Sequence, residues 1–336
     1  MMALDLPFIW AGLIAFAVLA YVVLDGFDLG VGILFPFVKG EAHRDQMMNS
    51  VAPVWDGNET WLVMGGGGLM AVFPLAFAII MPALYTPIII MLLGLIFRGV
   101  AFEFRWKTRR GQCLWDWAFA GGSTAAAFAQ GIALGALVQG IPVIGRAYAG
   151  GWWDWLTPFS LLTGVALVVG YALLGAGWLI WKTEHHVQDR ARAMAIWLAP
   201  ATLALIGVVS VWTPFLNAEY WRRWFAWPNL MLAVPVPVLV LVAAVVLMRG
   251  LIKRREVSPF LASQALFVLC FVGLGVSFYP HIVPNSVTIW QAAAPAGSLA
   301  FLLVGASVLI PLILTYTAYS YWVFRGKVNA SGGYHR

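Results

Sequence analysis

Asp25 and Asp28 stand three residues apart in YVVLDGFDLGVGILFPF (21–37), a stretch otherwise apolar enough to cross a bilayer. At mid-helix in a membrane each carboxylate costs about 2.5–3.5 kcal/mol, so the pair asks for partners or a task. Two further segments carry the same kind of charge. PVWDGNETWLVMGGGG (53–68) holds Asp56 and Glu59, again three apart, and GLIFRGVAFEFR (94–105) holds Arg98 and Glu103. The i, i+3 spacing puts each acidic pair on one helix face. Arg98 is the one cation at that depth and the natural counter-ion for one of the carboxylates. Several acids around a single arginine in a low-dielectric setting cannot all stay ionised, so at least one is expected to take up and release a proton. That is the chemistry of a proton or cation path. The competing reading is a static ion-pair knot tying three helices together, and the excess of acid over base favours the path. A third reading, that Asp56 and Glu59 merely complement the positive end of their helix, leaves the pair on the first helix unexplained.

Such residues need helices to hold them. Of 336 residues, 62% are hydrophobic and 10% charged, and the mean hydropathy is +0.86. Soluble domains carry about 25% charged residues, so the composition specifies an integral membrane protein. Apolar runs lie at about 8–37, 51–74, 77–104, 115–140, 157–181, 194–217, 228–249, 260–281 and 296–324. Each is near the roughly 20 residues a span requires, which predicts an all-α protein with nine transmembrane helices in one polytopic domain, 1–336. The first three, over 8–105, carry the polar cluster. The rest, over 115–336, have no charged residue in their helix cores. Prolines in FPLAFAIIMPALYTP blur the boundary between the second and third runs.

Sixteen of the 20 Lys and Arg, from Lys39 and Arg44 through Arg105 and Arg109 to Lys327 and Arg336, follow odd-numbered runs. Only Arg146, Arg222 and Arg223 lie on the opposite side. The positive-inside rule therefore places the N-terminus outside and the C-terminus in the cytoplasm. Trp152, Trp153, Trp155, Trp221, Trp224 and Trp227 crowd the outer loops as an interfacial belt would. The three charged segments then converge on one cluster opening inward. The net charge of +6 sits in short loops and reports topology, not nucleic-acid binding. No Lys or Arg precedes Lys39, so the first run reads as a retained anchor rather than a secretory signal.

Other features carry less chemistry. Gly65–Gly68 lies inside an apolar run and reads as close helix packing, not as a phosphate loop. The sequon at Asn58 falls at a cytoplasmic end and is discounted. Cys113 and Cys270 have no metal or haem-attachment spacing. His43, His185, His186, His281 and His335 all fall in polar segments or at edges. Without a deep histidine, the chain is expected to bind no haem by itself and no metal.

VLDGFDLGVG, PVWDGNETWL and GLIFRGVAFEFR, in this order and spacing, resemble the signature regions of subunit II of cytochrome bd-type quinol oxidases. The length and helix number agree with that family, and the short chain is similar to its cyanide-insensitive branch. The resemblance implies a bacterial inner-membrane terminal oxidase of the aerobic respiratory chain. Such an enzyme oxidises quinol and reduces dioxygen to water, independently of haem–copper chemistry. The b- and d-type haems would reside in the larger partner, subunit I, often with a small single-helix peptide alongside. Subunit II would supply scaffold and part of a cytoplasmic proton path, with Asp25 and Asp56 at the family's acidic positions. Arg98 and Asp28 match neighbouring polar positions of the family, and Glu59 and Glu103 complete the supporting polar cluster read from the residues. A structural quinone or lipid is associated with this subunit type, besides membrane lipids and the quinol itself. The rivals are a proton- or ion-coupled secondary transporter, whose acids belong near mid-membrane in repeated halves, and a purely structural assembly subunit.

Overall fold

The computed structural model describes residues 4–108 and 110–328; Arg109, His335 and Arg336, named above, lie outside the described residues. In chain order the helices are α1 (Leu6–Leu34), α2 (Glu41–Val51), α3 (Trp55–Val72), α4 (Pro74–Ala83), α5 (Tyr85–Phe104), α6 (Gln112–Gln139) and α7 (Pro158–Lys182). They continue as α8 (His185–Leu216), α9 (Ala218–Phe225), α10 (Leu230–Ala233), α11 (Pro235–Ile252), α12 (Ser258–Phe278), α13 (Ile289–Ala292) and α14 (Ala296–Val323). Two antiparallel hairpins, β1 (Val143–Ile144) with β2 (Ala147–Tyr148) and β3 (His281–Val283) with β4 (Val287–Thr288), sit in the connections.

Among the described residues, eight helices are long and apolar enough to cross a membrane: α1, α5, α6, α7, α8, α11, α12 and α14. The expectation of nine crossings differs by one, α3. Its 18 residues reach about 27 Å, but Asp56, Asn58, Glu59 and Gly65–Gly68 dilute its apolar character. It still runs the length of the bundle. Trp55 stacks on Phe102 near the end of α5, with ring centroids 4.7 Å apart, and Val72 O accepts from Ala294 N at 2.8 Å beside the start of α14.

The run 77–104 is two helices rather than one. Pro74 opens α4 immediately after α3, Pro82 removes another backbone donor, and the helix stops at Leu84 before α5 begins. A proline lacks the N–H and crowds the preceding turn, so an apolar stretch rich in prolines breaks here. The short α4 packs against β2, β3 and α13 and closes that end of the bundle.

The centre is made by α1, α6 and α7. Every residue of α1 from Asp25 onward is buried, among Phe27, Leu29, Tyr171 and Leu174. A glycine pair allows this depth: a methyl on Gly30 would stand 2.7 Å from Gly175 N, so the backbones of α1 and α7 meet only because both residues lack a side chain. The run Gly65–Gly68 behaves differently from expectation. Gly65 and Gly68 face α1: a methyl added there would stand 3.3 Å from Val18 Cγ2 and 3.5 Å from Ile14 Cγ1, whereas one on Gly66 or Gly67 would meet nothing within 4 Å. Three-residue spacing turns only two of the four toward the neighbour.

The last helix lies against the bundle with only Leu299 buried. Polar tethers hold it at both ends. Trp10 Nε1 donates to Leu299 O at 3.0 Å, and Lys182 Nζ donates to Phe324 O at 2.6 Å and Gly326 O at 3.0 Å.

Candidate functional site

The geometry of α1, α3 and α5 brings four of the expected residues into one buried group. Arg98 and Asp25 are both fully buried; Arg98 Nη1 is 2.7 Å from Asp25 Oδ1 and donates to Oδ2 at 3.0 Å. The same Nη1 reaches Glu59 Oε1 at 3.2 Å, and Nη2 stands 3.9 Å from Asp28 Oδ2. The guanidinium also lies over the Trp55 ring, 5.9 Å from its centroid. One cation therefore faces three carboxylates. Glu59 is the member that meets the surface, with its side chain 25% exposed, while Asp25 and Asp28 are sealed.

Two expected members stand elsewhere. Glu103 is on the surface and pairs with Lys107 at 3.3 Å. Five residues after Arg98 it points about 140° around α5, away from the cluster. Asp56 is exposed in the first turn of α3, one turn beyond Glu59, and makes no ion pair among the described residues. It sits at the mouth of the group and not inside it.

Uncharged residues complete the site. Asn58 Nδ2 donates to Asp28 Oδ2 at 2.6 Å and to Leu24 O at 3.3 Å, and Asn58 Oδ1 accepts from the Tyr321 hydroxyl at 3.1 Å. A residue of the last helix thereby braces an aspartate of the first. On the other flank Gln130 Nε2 donates to Tyr21 Oη at 2.7 Å, and the Tyr171 hydroxyl donates to Gln130 Oε1 at 3.0 Å. Sequence reasoning missed these residues. Tyr21 and Asn58 had a usable signal, since Tyr21 precedes Asp25 by one turn and Asn58 stands between two acids. Gln130, Tyr171 and Tyr321 had none, because their facing depends on how distant helices pack.

Asp28 Oδ1 and Arg98 Nε and Nη2 have no hydrogen-bond partner within the protein. One guanidinium among three carboxylates, two of them sealed and one at the surface, leaves acid in excess of base, and such a set is suited to exchanging protons. A second charged group shows what a static knot looks like here. Arg105 binds Asp45 at 2.5 Å and Asp116 at 2.6 Å, and Arg44 binds Asp116 at 2.8 Å, two cations against two acids. Arg44 and Arg105 looked like ordinary basic loop residues in sequence, yet this group ties α2, α5 and α6 together.

Among the described residues the core holds no histidine. None of the four described histidines is buried; His43 stacks on His186 with centroids 4.2 Å apart, and His185 and His281 lie at the periphery. Among the described residues no three His, Cys, Asp or Glu are grouped to hold a metal.

The chain is similar to known proteins over nearly its whole length. Residues 6–324 match the family model described as cytochrome bd terminal oxidase subunit II. The chain is 31% identical over 361 residues to the cytochrome bd-I ubiquinol oxidase subunit 2 of Escherichia coli K12, covering 96% of this chain and 95% of that one. It is 27% identical over 334 residues to the cytochrome bd ubiquinol oxidase subunit 2 of Bacillus subtilis 168, covering 96% of each. Its fold matches a chain of the bd oxidase from Geobacillus thermodenitrificans with a TM-score of 0.76 at 17% identity, over 96% of this chain and all of that one.

Proposed function

We propose, since this chain belongs to the cytochrome bd terminal oxidase subunit II family and is a subunit of a quinol oxidase, that its buried acid cluster is part of the path by which protons reach the oxygen-reducing site. The oxidase complex pairs it with a subunit I, and the eight long apolar helices among the described residues make it a multi-pass membrane protein. The secondary-transporter alternative gives way to this membership.

In this reading the chain itself carries no haem. The b- and d-type haems belong to subunit I, for which it is a scaffold, in the cytoplasmic membrane of a bacterium. Its N-terminus lies outside, so the α3 end bearing Asp56 and Glu59 opens to the cytoplasm. A small single-helix subunit and a bound quinone or lipid complete the complex, and quinol is the electron donor. Protons enter at exposed Asp56, pass to Glu59, and reach Asp25 across Arg98. The observation that carries this is the three-to-one ratio of acid to base around Arg98, with one acid at the surface and two sealed. Reducing dioxygen to water consumes protons, which gives the excess acids a task.

The test is oxygen-electrode turnover on purified complexes matched for haem. Asp25→Asn keeps shape and most hydrogen bonding but cannot ionise. It is expected to preserve assembly while slowing quinol-driven oxygen consumption, and Asp56→Asn to act alike. If the two serve one path, the double variant costs less than the product of the singles. Full turnover in all three would leave the cluster a structural knot.

A further inference from the structure

Of the three acids around Arg98, the proton path from Asp56 through Glu59 to Asp25 leaves Asp28 without a task. Asp28 is fully buried, yet its carboxylate stays 3.9 Å from Arg98 Nη2, beyond hydrogen-bond reach, while Asp25 on the same helix closes to 2.7 Å. Its short contact is to an amide instead. Asn58 on α3 is 1% exposed, and its Nδ2 donates to Asp28 Oδ2 at 2.6 Å.

The amide has one possible orientation. Asn58 Nδ2 also reaches Leu24 O at 3.3 Å, and a carbonyl only accepts, so the amide nitrogen faces α1. The amide oxygen then faces α14, where the Tyr321 hydroxyl donates to it at 3.1 Å. The Tyr321 ring is seated in T-shaped contacts with Phe27 and Trp178, with centroids 6.5 and 6.3 Å apart. Three residues further along, Lys182 Nζ donates to Phe324 O at 2.6 Å and fixes this end of α14.

We propose that Asn58, aimed by Tyr321, is a positioning residue that holds Asp28 away from Arg98 and so leaves the guanidinium bridging Glu59 and Asp25. This rests on the proton-path reading above. The bridge runs through a single nitrogen, since Arg98 Nη1 stands 3.2 Å from Glu59 Oε1 and 2.7 Å from Asp25 Oδ1. Without the amide, Asp28 loses its short hydrogen bond and faces a guanidinium 3.9 Å away. Opposite charges at that distance in a buried site attract strongly, so Asp28 closes on Nη2. The guanidinium is a rigid plane, and turning Nη2 toward Asp28 carries Nη1 off the line between Glu59 and Asp25. Asn58 keeps one acid from competing for the cation that the other two share.

The experiment is quinol-driven oxygen consumption in haem-matched complexes carrying Asn58→Leu, Tyr321→Phe or Asp28→Asn, and Asn58→Leu paired with each of the other two. Asn58→Leu is expected to lower kcat about tenfold, the scale of one hydrogen bond to a charged group. Tyr321→Phe is expected to lower it about threefold, the scale of a neutral one, and KM for quinol stays unchanged in both. The deciding background is Asp28→Asn, which keeps the shape of residue 28 but cannot form the competing ion pair. There Asn58→Leu is expected to cost nothing further. An Asn58 that only packs would be missed whatever residue 28 carries, so costs that multiply in this pair overturn the proposal, as does normal turnover in Asn58→Leu. If Asp28→Asn fails to assemble, Asn58→Leu with Tyr321→Phe decides: the pair should match Asn58→Leu alone, and multiplied costs overturn the series. If Asn58→Leu fails to assemble, Tyr321→Phe takes its place, and its threefold loss should vanish in the Asp28→Asn background. Asp25→Asn is run alongside. If it slows turnover while Asn58→Leu does not, only the positioning role falls. If Asp25→Asn turns over normally, the proton path falls and the positioning role with it.

Discussion

Replacing Arg98 tests the electrostatics of the cluster most severely. Its guanidinium is fully buried and within 2.7–3.9 Å of three carboxylates, two of them also fully buried. A unit pair at 4 Å and an effective dielectric near 20 interacts by about 4 kcal/mol. Truncating one partner of a buried pair costs about 3–5 kcal/mol, because the other charge is left uncompensated. Against a total stability of about 5–15 kcal/mol, Arg98→Ala should sharply reduce assembled complex. Arg98→Lys keeps the charge but loses the fork that reaches Asp25 and Glu59 from one nitrogen and Asp28 from another, so its loss should be smaller. Adding Asp25→Asn to Arg98→Ala removes one stranded acid and should recover part of the yield. The assay is haem recovered per cell after detergent extraction, with the melting temperature of the purified complex. Wild-type yield in Arg98→Ala, or no recovery on adding Asp25→Asn, would refute the reasoning.

Gly30→Ala should cost about 1–3 kcal/mol, since the new methyl meets backbone that no rotamer change can move, and thermal unfolding of the complex reads this. Gly66→Ala, with nothing within 4 Å, should be neutral or slightly stabilising in the same assay. The isolated chain should purify colourless while the complex shows haem bands; stoichiometric haem on the single chain would contradict the placement of haem in subunit I. Reporter fusions should locate the N-terminus outside and the C-terminus in the cytoplasm, and a cytoplasmic signal at the N-terminus would reverse the mouth of the path.

Much of the fold was legible because membrane physics is severe. All nine apolar runs contain helices, and a charge inside one is costly enough to flag itself, which is why Asp25, Asp28, Glu59 and Arg98 stand out from the residue order alone. The errors came where cost and position separate. Glu103 belongs to the same motif as Arg98, but a helix turns five residues to another face. Arg105 reads like any juxtamembrane base, yet it is 1% exposed and bonded to two acids. The proline-rich break at Leu84 was signalled, but which side would pack as the separate α4 depended on hairpins far along the chain. Gln130 and Tyr321 lie 109 and 263 residues from Tyr21 and Asn58, their partners, and nothing local marks them.

Proton uptake itself is the direct measurement. Fully reduced complex in vesicles, mixed rapidly with oxygen in the presence of a pH-indicating dye, reports protons taken from the medium on the time scale of oxygen reduction. With Asp25→Asn, oxygen binding should proceed at the normal rate while proton uptake lags well behind the wild type, and Asp56→Asn should lag in the same phase. Proton uptake at the wild-type rate in both variants and in their combination would show that Arg98 and its three acids only hold helices together.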